Sequence, residues 1–83
     1  MQANTESLAS AVNNYSSVMA RYNSLTADVT LDLALALDDA AERMAYALVR
    51  SGYMTGNEEH TFVTDRIADA HRCSDRVRRL LKA

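Results

Sequence analysis

Apolar residues recur along this chain in steps of four and three. Leu8, Val12, Tyr15, Met19 and Tyr22 form one stripe, and Leu33, Leu37, Ala40, Met44 and Ala47 a second. Val63, Ile67, Ala70, Val77 and Leu81 form a third, with Ser74 in its gap. Such steps place side chains on one face of a helix. No proline interrupts the pattern. The spacing predicts an all-α chain, a single helical domain across residues 1–83. Its three amphipathic helices cover about residues 5–24, 27–51 and 57–81.

Local signals place the ends. Asn4 or Thr5 can cap the first helix, with Glu6 near the positive end of its dipole. Its polar face, Ser10, Asn13, Asn14, Ser17, Arg21 and Ser24, is nearly uncharged; plain solvent exposure explains this, and so does cover by a partner. The second helix is expected to begin at Thr26, before Ala27 and Asp28. It should stop where Arg50 faces the negative dipole end and Gly52 takes the left-handed conformation. Both glycines of the chain fall in the linker from Ser51 to Asn57. Thr55, with Glu58 three residues later, matches a capping box for the third helix.

The second predicted helix is apolar on more than one side. Leu31 and Leu35 lie outside the stripe of Leu33, Leu37 and Met44, so the helix should sit between two neighbours. Eighty-three residues is close to the limit of about 70–80 below which a core is marginal alone. The expectation is therefore a three-helix antiparallel bundle, or a long helical hairpin, completed by homodimerisation. The core and dimer seam would be Leu31, Leu35, Leu37, Met44, Val63, Ile67, Val77 and Leu81.

A second period competes over one segment. Val29, Leu31, Leu33, Leu35 and Leu37 alternate with Thr30, Asp32, Ala34 and Ala36, which is a strand signal. Alanine, aspartate and leucine do not favour strands, so helix is expected. A strand here, followed by a helix, a glycine-containing turn and another helix, loosely resembles the ribbon-helix-helix repressors. That resemblance implies outward strand residues that read the major groove. The outward set, Thr30, Asp32, Ala34 and Ala36, brings an aspartate where basic or amide side chains belong.

Composition narrows the picture further. A hydrophobic content of 48% excludes a disordered tail, and a net charge of −2 gives no global pull toward nucleic acid or anionic lipid. The single Cys73 cannot form an internal disulfide, which favours a reducing compartment. The segment Met1–Glu6 lacks the basic and apolar regions of a signal peptide. The stretch from Val29 to Leu37 is too short and too acidic to span a bilayer. A soluble cytoplasmic protein with no membrane partner is expected.

Six of the nine basic residues, Arg66, Arg72, Arg76, Arg78, Arg79 and Lys82, lie in the third predicted helix. Arg72, Arg76 and Arg79 share a face, as a phosphate-binding stripe requires. Acids interleave, however. Asp69 lies three residues before Arg72, and Asp75 three and four before Arg78 and Arg79. Asp28, Asp32, Asp38, Asp39 and Glu42 of the second helix offer an acidic patch within the chain. A salt-bridged solvated face is the plainer reading; an acidic protein or a nucleic acid is the functional one.

Catalytic and metal chemistry have little support. His60 and His71 stand about 16 Å apart by helical rise, too far to share an ion. Cys73 points away from His71, and Glu58 and Glu59 lack the E-x-x-H pattern of di-iron bundles. The pairs Asp38–Asp39 and Glu58–Glu59 diverge by about 100° on a helix, so neither shares a proton. No phosphate loop is present. The expectation is no enzyme, no cofactor and no metal. Tyr53 and Met54 lie between the two glycines and suit a partner contact; the alternative is that they fold back over the bundle end. Tyr15, Tyr22 and Tyr46 read as core or seam residues.

The chain thus reads as a small protein-binding regulator, an adaptor, chaperone or inhibitor of the phage-encoded kind, acting on a larger protein. Its contact residues would be Tyr53, Met54, Arg72, Arg76 and Arg79. The alternatives are a nucleic-acid-binding transcriptional regulator using the basic helix, and a structural assembly subunit.

Overall fold

The computed structural model describes residues 6–24 and 30–82. They form three α-helices: α1 (Leu8–Asn23), α2 (Leu31–Ser51) and α3 (Glu58–Lys82). Segment 31–37 is helical, so the strand alternative is not realised there.

The first two helices start a little later than the sequence signals suggest, because a capping side chain further along the chain ends the preceding segment. Ser7 is extended, and its hydroxyl accepts from the Ser10 amide at 3.1 Å. Thr30 is likewise extended and accepts from the Leu33 amide at 3.4 Å. A β-branched residue favours that extended conformation, and α2 begins directly after it at Leu31. Asn4, Thr5, Thr26, Ala27 and Asp28 lie outside the described residues. At α3 the expected Thr55 capping box is not formed. Asn57 caps instead, its side-chain oxygen accepting from the Glu59 amide at 2.8 Å. The end of α2 is as expected: Arg50 lies in its last turn, and Gly52 takes φ 75°. Gly56 is also left-handed, at φ 91°. A side chain at either position would strain the backbone.

α2 is the axis of the molecule. α1 packs on one side of it and α3 on another, while α1 and α3 touch at few points. Both flanking helices run antiparallel to α2. Glu6 meets Arg43 and Arg21 meets Asp32 at opposite ends of the α1–α2 pair. Ser74 meets Ala34 toward one end of the α2–α3 pair, while His71 and Ile67, earlier on α3, lie beside Asp38, Ala41 and Ala45, later on α2.

The core follows from that arrangement. Leu33, Leu37, Ala40, Met44 and Ala47 are buried, as the second stripe predicts. A further row on α2, Ala34, Ala41 and Leu48, is also buried. So α2 does have a second buried face, but it is this row rather than Leu31 and Leu35, which point outward. Opposite it, α3 contributes Val63, Ala70, Cys73, Ser74 and Val77. Ile67 packs partly buried against the core, and Leu81 is exposed. Leu81 falls in the last turn of α3, next to the helix end.

On α1 the deepest residues are Ala11, Tyr15 and Val18. Leu8, Val12, Met19 and Tyr22, four of the five in the first stripe, are only partly buried. The cause is that α1 lies mainly against α2, so the flank of its stripe toward α3 is incompletely covered.

Leu37 has no solvent exposure. Leu37→Ala should cost about 2–5 kcal/mol by removing buried methyl groups and leaving a cavity. Urea unfolding followed by circular dichroism checks this; a loss well under 1 kcal/mol would contradict the placement of Leu37 at the centre.

Candidate interaction surface

Two polar clamps hold the helices in register. The first joins the residue before the α1 cap to α2. Arg43 donates Nε to Glu6 Oε1 at 2.9 Å and Nη2 to Glu6 Oε2 at 2.5 Å. This is the forked arrangement that makes arginine–carboxylate pairs strong. The Glu6 side chain is only 10% exposed, and Arg43 also lies 3.5 Å from Asp39. The hydrogen bonds from Arg43 hold the Glu6 carboxyl below its usual value, against partial burial, with a smaller contribution from Ser10.

The second clamp joins α2 to α3. The buried Ser74 hydroxyl donates to the Ala34 carbonyl at 3.2 Å and accepts from Arg78 Nη1 at 2.6 Å. The same Nη1 donates to Asp38 Oδ2 at 2.8 Å, and His71 Nδ1 lies 3.8 Å from Asp38 Oδ1. Partial burial pushes the Asp38 carboxyl up. The Ser74 hydroxyl, Arg78 and His71 outweigh it, and the net shift is downward.

These clamps account for several of the charges singled out in the sequence. Arg78 pairs with Asp38 of α2 and not with Asp75 of its own helix. The reason is reach: Asp38 lies beside the Ser74–Ala34 contact, whereas Asp75 is on the exposed side of α3. Arg72 does pair with Asp69, at 2.7 Å, and Asp69 also holds Arg66 at 3.1 Å. The hydrogen bond from Arg72 lowers the Asp69 carboxyl. Arg66 in turn lies over the Phe62 ring, 5.2 Å from its centre. Of the expected basic stripe, Arg76 and Arg79 are exposed and have no ion-pair partner among the described residues.

The apolar surface is more distinctive than the charged one. Leu31 is 54% exposed, Leu35 52%, Tyr46 54% and Val49 78%. At about 100° per residue these four occupy one arc of α2, away from both α1 and α3. Glu42, Ala45, Tyr46 and Val49 line an open depression on that arc. Sequence reasoning singled out Leu31 and Leu35, read Tyr46 as a core or seam residue, and passed over Val49. The spacing of Leu31, Leu35, Glu42, Tyr46 and Val49, in steps of four, seven, four and three, carries the signal.

The loop after α2 splits the two expected anchors. Tyr53 turns toward the α1–α3 end and lines a cleft with Leu8, Val12 and Phe62. Met54 does not fold back; it is 78% exposed. Among the described residues, no group of three or more His, Cys, Asp or Glu is placed to hold a metal ion. No described helix is long and apolar enough to cross a membrane. Comparison with protein-family models, with curated proteins and with solved structures gave no match.

The lowered carboxyls fix the sign of the acid response. Glu6, Asp38 and Asp69 all favour the ionised form when folded. The stability they contribute is complete above the ordinary carboxylate range and is lost as the pH falls through their lowered values. The melting temperature should therefore hold near neutrality and drop from about pH 4 downward. In Glu6→Gln the drop should be shallower, and stability at neutral pH lower by about 1–3 kcal/mol, since Arg43 loses its partner. Thermal melts across pH test both; equal acid slopes for the two proteins would exclude Glu6 as a contributor.

Proposed function

We propose that this chain is a small, non-enzymatic, protein-binding regulator that acts through helix-surface contacts on a larger protein. One observation carries the reading. The three-helix core leaves a row of large apolar side chains facing solvent along the length of α2, with Met54 at the adjoining loop. Scattered surface leucines need no explanation, but four large apolar side chains gathered on one arc of a helix do. Tyrosine and methionine are favoured at such contacts because they present much area with adaptable shape.

Arg76 and Arg79 favour one other reading, a nucleic-acid contact at the end of α3, because no carboxylate among the described residues neutralises them. Arg72 is less available to it, being tied to Asp69. Asp65, Asp69 and Asp75 lie along the same helix and oppose a phosphate backbone.

Affinity capture of the tagged protein from its native cells, with nuclease treatment, separates these readings. The regulator reading expects one stoichiometric protein partner that survives nuclease and is lost in Met54→Ser or Tyr53→Ser. Disappearance of every partner on nuclease treatment, with loss of binding in Arg76→Ala/Arg79→Ala, would replace it with the nucleic-acid reading.

A further inference from the structure

We infer that the outward face of α2 is the seam of a homodimer, on which a second copy of the chain docks antiparallel with the two-fold axis crossing the outward arc at the height of residue 41. The inference rests on the reading of this face as a contact surface and assigns its occupant. The argument is charge complementarity. Beside the apolar arc runs a flank of four charged residues, Asp32, Asp39, Arg43 and Arg50. Asp32 and Arg50 lie nine residues to either side of Ala41, and Asp39 and Arg43 lie two to either side. All four fall within an arc about 40° wide on the helix. The flank therefore carries two negative charges followed by two positive ones, at spacings symmetric about one point.

An antiparallel copy placed on that point sets the second copy's Arg50 beside Asp32, and its Arg43 beside Asp39. The two-fold axis repeats each pair, giving four favourable juxtapositions from one self-complementary surface. A parallel copy sets this flank across from its partner's other flank, the side of Asp38 and Ala45, and forms none of these four pairs. The apolar residues obey the same operation to within two residues of register: Leu31 comes near Val49, and Leu35 near Tyr46. Because α1 and α3 flank α2, its outward arc forms a ridge open to a second helix.

The outer charges have capacity for this: Arg50 has no ion-pair partner among the described residues, and Asp32 is held only by an exposed contact to Arg21 at 3.6 Å. Arg43 is already forked to Glu6 and lies 3.5 Å from Asp39, so the outer pair, Asp32 with the second copy's Arg50, carries the complementarity. One term opposes the pairing. Glu42 lies next to Ala41 on the exposed arc, so the two copies bring their Glu42 carboxylates face to face. One helix face per partner is also a small interface. The dimer is therefore of modest affinity, on the order of micromolar.

Sedimentation equilibrium of the purified chain tests this from about 1 to 500 μM, the range that brackets such an affinity. A reversible monomer–dimer transition is expected. Asp32→Arg and Arg50→Asp should each weaken it about tenfold, because attraction becomes repulsion at both symmetry-related pairs. Combining both changes in one chain, or mixing the two single variants, should restore association. Within one chain the two positions are about 27 Å apart along α2, so restoration cannot arise inside a protomer. Glu42→Gln should tighten the dimer. A monomer at every concentration, indifference to Asp32→Arg and Arg50→Asp, failure of the double variant and of the mixture to recover, or no tightening in Glu42→Gln would each overturn the inference. A monomeric chain that still captures a cellular partner would overturn it alone and leave the regulator reading in place.

Discussion

The close approach of α3 to α2 is the constraint on which the rest depends. The facing rows are made of small side chains, Ala34 and Ala41 on α2, and Ala70 and Ser74 on α3, all buried. Small residues let two helix backbones approach near the lower end of the usual spacing. At that separation a hydroxyl on one helix can reach a backbone carbonyl on the other, and Ser74 does so at Ala34. A bulkier residue in either row would push the helices apart. It would also break the chain of contacts from Ala34 through Ser74 to Arg78 and Asp38. Ser74 is thus both a packing residue and the only buried polar side chain of the described core, with its hydroxyl fully employed.

The position of α1 follows as a weaker consequence. With α2 engaged by α3 along one row, α1 takes the adjacent row and is tied down by the fork from Arg43 to Glu6. Little joins α1 to α3 directly. The open side leaves Leu8, Val12, Met19 and Tyr22 half-covered and lets Tyr53 and Phe62 line a cleft against α1. The molecule is therefore uneven in its cohesion, firm along α2–α3 and looser where α1 meets α3.

Much of the fold was legible because it rests on period. The stripe from Leu33 to Ala47 marks the true core face of α2, and Gly52 ends that helix as its position implies. The sequence was less informative where two signals of similar strength compete. Asn4, Thr5 and Ser7 are all good caps, and so are Thr55 and Asn57, and only packing selects among them. The three-helix geometry also decides which alanine rows are buried. Ala34 and Ala41 look no different in sequence from Ala36 and Ala45, yet α3 covers the first pair fully. The outward arc was half visible. Leu31 and Leu35 fall next to the core stripe, whereas Tyr46 and Val49 are separated from them by Asp38, Asp39 and Glu42. Charge partners were hardest to foresee, because Arg78 chooses an aspartate forty residues away over one three residues away. Local spacing describes the cost of pairs on one helix and says nothing of what a neighbouring helix brings within reach.

Cys73 gives the looser side of the molecule a chemical consequence. It is buried on α3, in the same core cluster as Tyr15 of α1. A thiol in that position reacts only while the helices above it are parted. Cys73 therefore serves as a built-in reporter of the bundle: it is shielded while the helices are packed, and the rate of its alkylation measures how often they part.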